Sequence, residues 1–124
     1  MTMNDERGVC LSDEIKAGLP PAAALFHSLS DPTRLAIVRR LADHEARVEL
    51  RVADLVAELG LAQSTVSAHV ACLRDCGLVA GRNEGRQVYY SLARTELLDL
   101  LEAADSMLAA TGHAAVLHPA GAAA

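Results

Sequence analysis

Apolar residues recur every three or four positions through most of the chain, the spacing that gathers them on one face of a helix. Val52, Leu55, Val56 and Leu59 fall at i, i+3, i+4 and i+7, predicting a short amphipathic helix that Gly60 stops. Gln63-Ser64-Thr65 opens a second helix, with Val66, Val70 and Leu73 facing inward and Gly77 as its left-handed cap. Upstream, Ser30-Asp31-Pro32 is a helix start: Asp31 can cap orphan amides and Pro32 suits the first helical position. The helix it starts carries Leu35, Val38 and Leu41 on one face, and His44 to Arg47 follow as a loop. Leu19-Pro20-Pro21 predicts an earlier helix running to about Leu29. Near the end, Leu97, Leu101, Ala104 and Leu108 repeat at three and four along a helix from Arg94 to about Ala110, apolar enough to need a partner.

Between Leu78 and Leu92 the pattern changes. Two short segments of β-formers flank Asn83-Glu84-Gly85, and the second reads Val88-Tyr89-Tyr90, which predicts a β-hairpin with its turn at that tip. The resulting order is that of a winged helix-turn-helix, mainly α with a small β-hairpin. The predicted division is a flexible arm over 1–18, a winged helix domain for DNA binding and dimerisation over 19–110, and a flexible tail over 111–124.

Composition sharpens this picture. The chain has 124 residues, enough for one domain, and 52% of them are apolar, which excludes a disordered chain. With no Trp, and Phe26, Tyr89 and Tyr90 as the only aromatics, the core must be aliphatic. No apolar run approaches the ~18 to 20 residues of a membrane span. Asp5 and Glu6 stand where a secretory leader would be basic, so the expected location is the cytoplasm.

The net charge of -5 argues at first against a nucleic-acid partner. Its distribution argues for one. Residues 63 to 94 hold four Arg (Arg74, Arg82, Arg86, Arg94) against Asp75 and Glu84, a local excess of positive charge, whereas the stretch from Thr95 onward is acidic with no Lys or Arg. In a winged helix, the N-terminal half of the second helix of the pair enters the major groove. The candidates there are Gln63, Ser64, Thr65, Ser67 and His69; Arg82 and Arg86 on the wing would meet phosphates or a minor groove. No Gly-rich phosphate loop and no His-Glu-x-x-His occurs, so the residues give little support to an enzyme.

Four segments together resemble the ArsR/SmtB family of bacterial metal-sensing repressors: Asp31-Pro32-Thr33-Arg34, Ser64-Thr65-Val66-Ser67-Ala68-His69-Val70, Leu73-Arg74-Asp75-Cys76-Gly77-Leu78-Val79 and Glu84-Gly85-Arg86-Gln87-Val88-Tyr89-Tyr90. The resemblance covers roughly residues 20 to 108. It implies a homodimer on double-stranded, palindromic operator DNA, released when an inducer binds. It also implies a dimer interface on the first and last helices, to which Leu97, Leu101, Ala104 and Leu108 would contribute.

The family places metal sites at different points of one scaffold. One uses Glu-Leu-Cys-Val-Cys-Asp-Leu, but this chain has Glu49-Leu50-Arg51-Val52-Ala53-Asp54-Leu55, so both thiols are lost. A second uses Asp-x-His on the last helix; this chain offers Asp99, Glu102 and Asp105 with His113 and His118 beyond, and no Asp-x-His. The third is Cys72 and Cys76, four apart on the second helix of the pair and therefore on one face, with Cβ atoms about 5–6 Å apart. The segment around them resembles the cadmium- and lead-sensing branch of the family. That branch takes a third thiolate from its C-terminal region, where this chain has no Cys, leaving Cys10 as the remaining thiol and expected third ligand. Three thiolates suit Cd(II) or Pb(II), which the resemblance favours, and As(III) as an alternative; Zn(II) would ordinarily want a fourth ligand. An odd number of cysteines does not suggest a disulfide framework, but a thiol- or redox-responsive repressor of the same fold is the alternative.

Overall fold

The computed structural model describes residues 11–42 and 48–119; Cys10, the loop from His44 to Arg47 and the end of the tail lie outside them. The elements run α1 (Asp13–Ser28), α2 (Pro32–Leu41), α3 (Val52–Leu59), α4 (Gln63–Asp75), β1 (Val79–Glu84), β2 (Gln87–Leu92) and α5 (Glu96–Ala110). The chain is thus mainly helical with one hairpin, the winged helix order expected from the sequence.

Local chemistry accounts for the boundaries. The Asp31 carboxylate accepts the amides of Thr33 (2.8 Å) and Arg34 (3.1 Å), and Pro32 opens α2 without a donor to satisfy. Gly60 stops α3 at φ 68°. Past α4, Gly77 takes φ 77°, its amide donates to Arg74 O (2.9 Å), and the Leu78 amide reaches back to Leu73 O (2.9 Å), the two bonds of a Schellman stop. That stop turns the chain from the helix straight into the wing.

β1 and β2 pair antiparallel, from Val79 opposite Leu92 to Glu84 opposite Gln87, so the turn is Gly85-Arg86, one residue later than the pattern suggested. Gly85 has φ 62° and Arg86 does not have a positive φ, matching a type II′ hairpin turn. One more pairing extends the hairpin: Leu50 and Tyr90 exchange backbone bonds of 2.9 and 2.8 Å, tying the entry to α3 to the wing.

The core sits where α2, α3, α4 and the base of the wing meet, with Leu97 and Leu101 of α5 closing it. Ile37, Val38, Leu55, Val66 and Leu73 are completely buried. Each such aliphatic side chain contributes about 1.5–3 kcal/mol relative to exposure. The stripe Val66, Val70, Leu73 of α4 is buried along its whole length, which fixes the opposite face of that helix toward solvent.

Three expectations are corrected. α1 begins at Asp13, capped by Ser12, and Pro20 and Pro21 lie inside it rather than at its start. The prolines leave carbonyls without donors, and this stretch of α1 is exposed, so water can serve them. The described part of the tail is docked: Asp105 accepts the amides of Leu117 (2.8 Å) and His118 (2.7 Å), and Arg39 donates to Val116 O (2.6 Å). Finally, Leu97 and Leu101 are buried in the protomer's own core, so they are not free to face a second copy; Ala104 and Leu108 are half-buried. The large apolar side chains left exposed are instead Ile15, Leu19 and Phe26 on α1, Met107 on α5, and Leu61 and Val116.

Candidate nucleic-acid interface and metal site

Helix α4 presents two different surfaces outside its buried stripe. At its N-terminal end Gln63, Ser64 and Thr65 are exposed, and Ser67 is half-buried. The N-cap is Ala62, which offers no side-chain cap. Hydroxyl and amide groups are therefore presented beside first-turn N–H groups that have no partner in the helix, an arrangement suited to polar and anionic contacts.

His69 does not belong to that exposed set. Its Nδ1 lies 3.3 Å from Arg34 Nη1, and its Nε2 lies 3.8 Å from Asp31 Oδ1. It faces the start of α2 and keeps 21% of its side chain exposed. The Asp31 carboxyl is held below its ordinary value, chiefly by the Arg34 amide and against the opposing effect of burial, with the Thr33 amide and the Arg34 charge adding to the lowering.

The wing cations also differ from each other. Arg82 donates from Nε to Glu49 (2.9 Å) and from Nη1 to Glu84 (2.9 Å), and its guanidinium lies 5.2 Å from the Tyr89 ring centroid. Glu49 and Glu84 raise its pKa. Arg86, in the turn itself, is exposed and makes no ion pair among the described residues. The local positive charge read from the sequence is therefore partly neutralised by Glu49. Nothing in the spacing signals that partner, because it lies on the approach to α3.

The thiols occupy the other end of α4. Cys72 is half-buried and Cys76, the C-cap residue, is exposed; both are free. The Cys76 amide still donates to Cys72 O (3.1 Å), so helical geometry holds through both and places them one turn apart on one flank. Among the described residues no group of three or more His, Cys, Asp or Glu is arranged to hold a metal ion. A three-ligand site on these thiols therefore needs a third donor that this arrangement of one protomer does not supply; Cys10 lies outside the described residues.

At the two alternative sites, Asp54 and Asp105 bond within the protein. At the start of α3, Arg51 and Asp54 form a two-pronged ion pair (Nη2–Oδ1 2.9 Å, Nε–Oδ2 3.1 Å), and the Arg51 amide donates to Asp54 Oδ2 (2.9 Å). The side-chain bond from Arg51 is the main reason the Asp54 pKa is lowered to about 2. On α5, both oxygens of Asp105 are taken by the docked tail, while Asp99 and Glu102 are exposed.

The family model described as bacterial regulatory protein, arsR family, matches residues 31–80, the span from the α2 cap through α4 to the first residues of the wing. The transcriptional activator HlyU of Vibrio cholerae is 36% identical over 89 residues, 72% of this chain and 79% of HlyU. The chain belongs to the arsR family. Within it, the regulator CmtR of Mycobacterium tuberculosis is 47% identical over 75 residues, 60% of each chain. A probable mercury resistance operon repressor of Streptomyces lividans is 37% identical over 79 residues, 64% of this chain and 60% of the repressor. The match thus spans about 60% of the length of CmtR. Among solved structures, reduced HlyU superposes with a TM-score of 0.65 at 33% identity, covering 77% of this chain and 97% of HlyU. A homodimeric winged helix-turn-helix DNA-binding domain from Mycobacterium bovis, described as a possible ArsR-family regulator, gives 0.68 at 28% identity, covering 80% and 88%. These relatives are regulators of transcription, in line with the winged helix order read from the sequence.

Among the described residues no helix is long and apolar enough to cross a membrane.

Proposed function

We propose that the chain is a metal-responsive transcriptional repressor of the cytoplasm, a homodimer that holds operator DNA through α4 and the wing and releases it when a soft metal ion binds. Cys72 and Cys76 are the first two ligands and Cys10, from either protomer, is the third. The observation that carries this reading is the pair of free thiols one turn apart at the solvent-facing end of the helix whose other end offers Gln63, Ser64 and Thr65. The mercury-resistance relative supports a thiol-seeking ion. The homodimeric relative supports the assembly, and the exposed Ile15, Leu19, Phe26 and Met107 supply an apolar face for it on the first and last helices.

Thiolates select soft ions and disfavour Mg, Ca and Mn. Cd(II) and Pb(II) are the proposed inducers, with As(III) and Zn(II) as competitors. Metal held at the C-terminal end of α4 acts on the same rigid helix that meets DNA, so it needs no distant relay. By linkage, metal weakens DNA binding by the factor by which DNA weakens metal binding, with couplings of ~1–3 kcal/mol being common. The ligands bind as thiolates, so induction weakens as pH falls.

The test uses the reduced full chain and a duplex selected by it from a random-sequence pool. Titration with Cd(II), Pb(II), As(III), Hg(II) and Zn(II) should give a thiolate-to-metal absorption band and, for the inducers, release of the duplex. Absence of a band, or a band unchanged by Cys72→Ser, sinks the metal reading. A Cys10→Ser chain that responds like wild type removes Cys10 from the site. Release by oxidant alone, with no metal band, would favour the thiol-redox alternative instead.

A further inference from the structure

We infer that Arg34 is a positioning residue for DNA reading: its guanidinium tethers the end of α1 to His69 and so refines the rotation that the buried stripe gives α4. This rests on the proposal that α4 meets DNA. Arg34 Nε donates to Ser28 O (2.6 Å), Nη2 donates to His27 O (3.2 Å), and Nη1 lies 3.3 Å from His69 Nδ1. A guanidinium only donates, so Nδ1 is the acceptor and the imidazole carries its proton on Nε2, toward Asp31 Oδ1 at 3.8 Å. One side chain thereby joins three elements: the last turn of α1, the first turn of α2 and the middle of α4.

Each part of the joint has a reason. The final carbonyls of a helix lack intrahelical donors and carry partial negative charge, so a cation there is favoured. Asp31 fixes the backbone of Arg34 by capping it and places a carboxylate on the Nε2 side of the imidazole. Most of α1 stands clear of the core: Ser28 is its only buried residue, followed by Leu29. The Arg34 joint is therefore the polar tether by which the placement of α1 reaches α4. His69 lies four residues after Thr65 and shares its side of the helix, so holding the imidazole holds the direction in which the exposed Thr65 points. Buried Val66, Val70 and Leu73 set which face of α4 turns inward, and the Arg34–His69 bond, with its set angle, refines that rotation where aliphatic contacts are less directional.

The experiment compares Arg34→Gln, His69→Gln, His69→Leu and the double Arg34→Gln/His69→Leu chain on the selected duplex and on a scrambled one, across a salt series. Active fraction is fixed by stoichiometric titration, so misfolded protein is not read as weak binding. Arg34→Gln and His69→Leu should each weaken the selected duplex about tenfold, the scale of one charge-assisted hydrogen bond. The double chain should be no weaker than either single one. His69→Gln, whose amide oxygen can accept from Arg34, should recover most of the loss. The scrambled duplex and the salt slope should stay as in wild type.

A salt slope lowered by about 0.9 in Arg34→Gln would mean that Arg34 binds a phosphate directly, and would overturn the inference. Losses that add in the double chain would do the same. Imidazole 15N shifts of the DNA-free chain give a reading independent of DNA: the Arg34 bond should move the His69 Nδ1 resonance upfield of a free acceptor nitrogen in wild type, and Arg34→Leu should abolish that displacement. An unchanged signature overturns the tether. If wild type selects no duplex at all, the DNA reading and the positioning role fall together, while a changed imidazole signature would leave the tether standing as a joint.

Discussion

The first turn of α3 and the last turn of α4 are the two places along the helix pair where the family resemblance suggests metal, and the chain treats them in opposite ways. At α3 the ligand positions are Arg51 and Ala53, and Arg51 is locked onto Asp54 by side-chain and backbone bonds. At α4 Cys72 and Cys76 are free and lie outside the buried stripe. Both helices are anchored by completely buried leucines, Leu55 and Leu73, and both end at a left-handed glycine. The scaffold is the same; what differs is whether the polar groups at the turn satisfy one another. A turn whose charges are paired internally is a structural cap, and a turn with unpaired thiols has chemistry left to perform.

That contrast can be broken in several ways. The largest effect should come from Cys72→Ser with Cys76→Ser, which should abolish the thiolate-to-Cd(II) absorption, while Arg51→Ala leaves it intact; absorbance titration of the reduced chains decides. Next, Leu55→Ala and Leu73→Ala should each cost ~2–5 kcal/mol in urea unfolding, because both side chains are fully buried. Unequal losses would show that the two helices are not equally anchored. Gly60→Ala and Gly77→Ala should cost about 1–2 kcal/mol each through their positive φ alone, since an added Cβ meets nothing within 4 Å at either position. The smallest effect concerns acid. The folded Asp54 pKa is lowered to about 2 from 3.8, so its contribution is complete above pH 3.8 and disappears as pH falls through about 2. Thermal midpoints of wild type and Asp54→Asn should therefore converge on acidification through that window and differ above it.

The wing repeats the contrast. Arg82 is held by Glu49 and Glu84, whereas Arg86 at the turn has no ion pair among the described residues. With the selected duplex, Arg86→Ala should lower the salt slope by about 0.9 and Arg82→Ala by less. Equal slopes for the two variants would show that the glutamates let go of Arg82 on binding.

Much of this architecture is legible in the chain because the deciding signals are local. Asp31-Pro32, the spacing of Val52 to Leu59, the stripe on α4 and Gly77 each act within a few residues, and each lands where the pattern puts it. What escapes is decided by partners far along the chain. Glu49 reaches Arg82, Arg34 reaches His69, and Asp105 reaches Leu117, at separations no periodicity encodes. Periodicity also does not say which mass an apolar stripe faces, and so Leu97 and Leu101, expected at a second copy, serve the protomer's own core. The double proline misleads in another way: it usually opens a helix, but it can sit inside one whose freed carbonyls face water.

The paired backbone bonds between Leu50 and Tyr90 close a loop of about forty residues that contains all of α3 and α4. The helix pair is thus clasped at both ends, by the turn into the wing at Gly77 and by this clasp at its entry. Opening the clasp would free the wing and the helix pair together. The amides of Leu50 and Tyr90 should consequently exchange with deuterium on one common timescale, as a single opening event despite their separation in the chain.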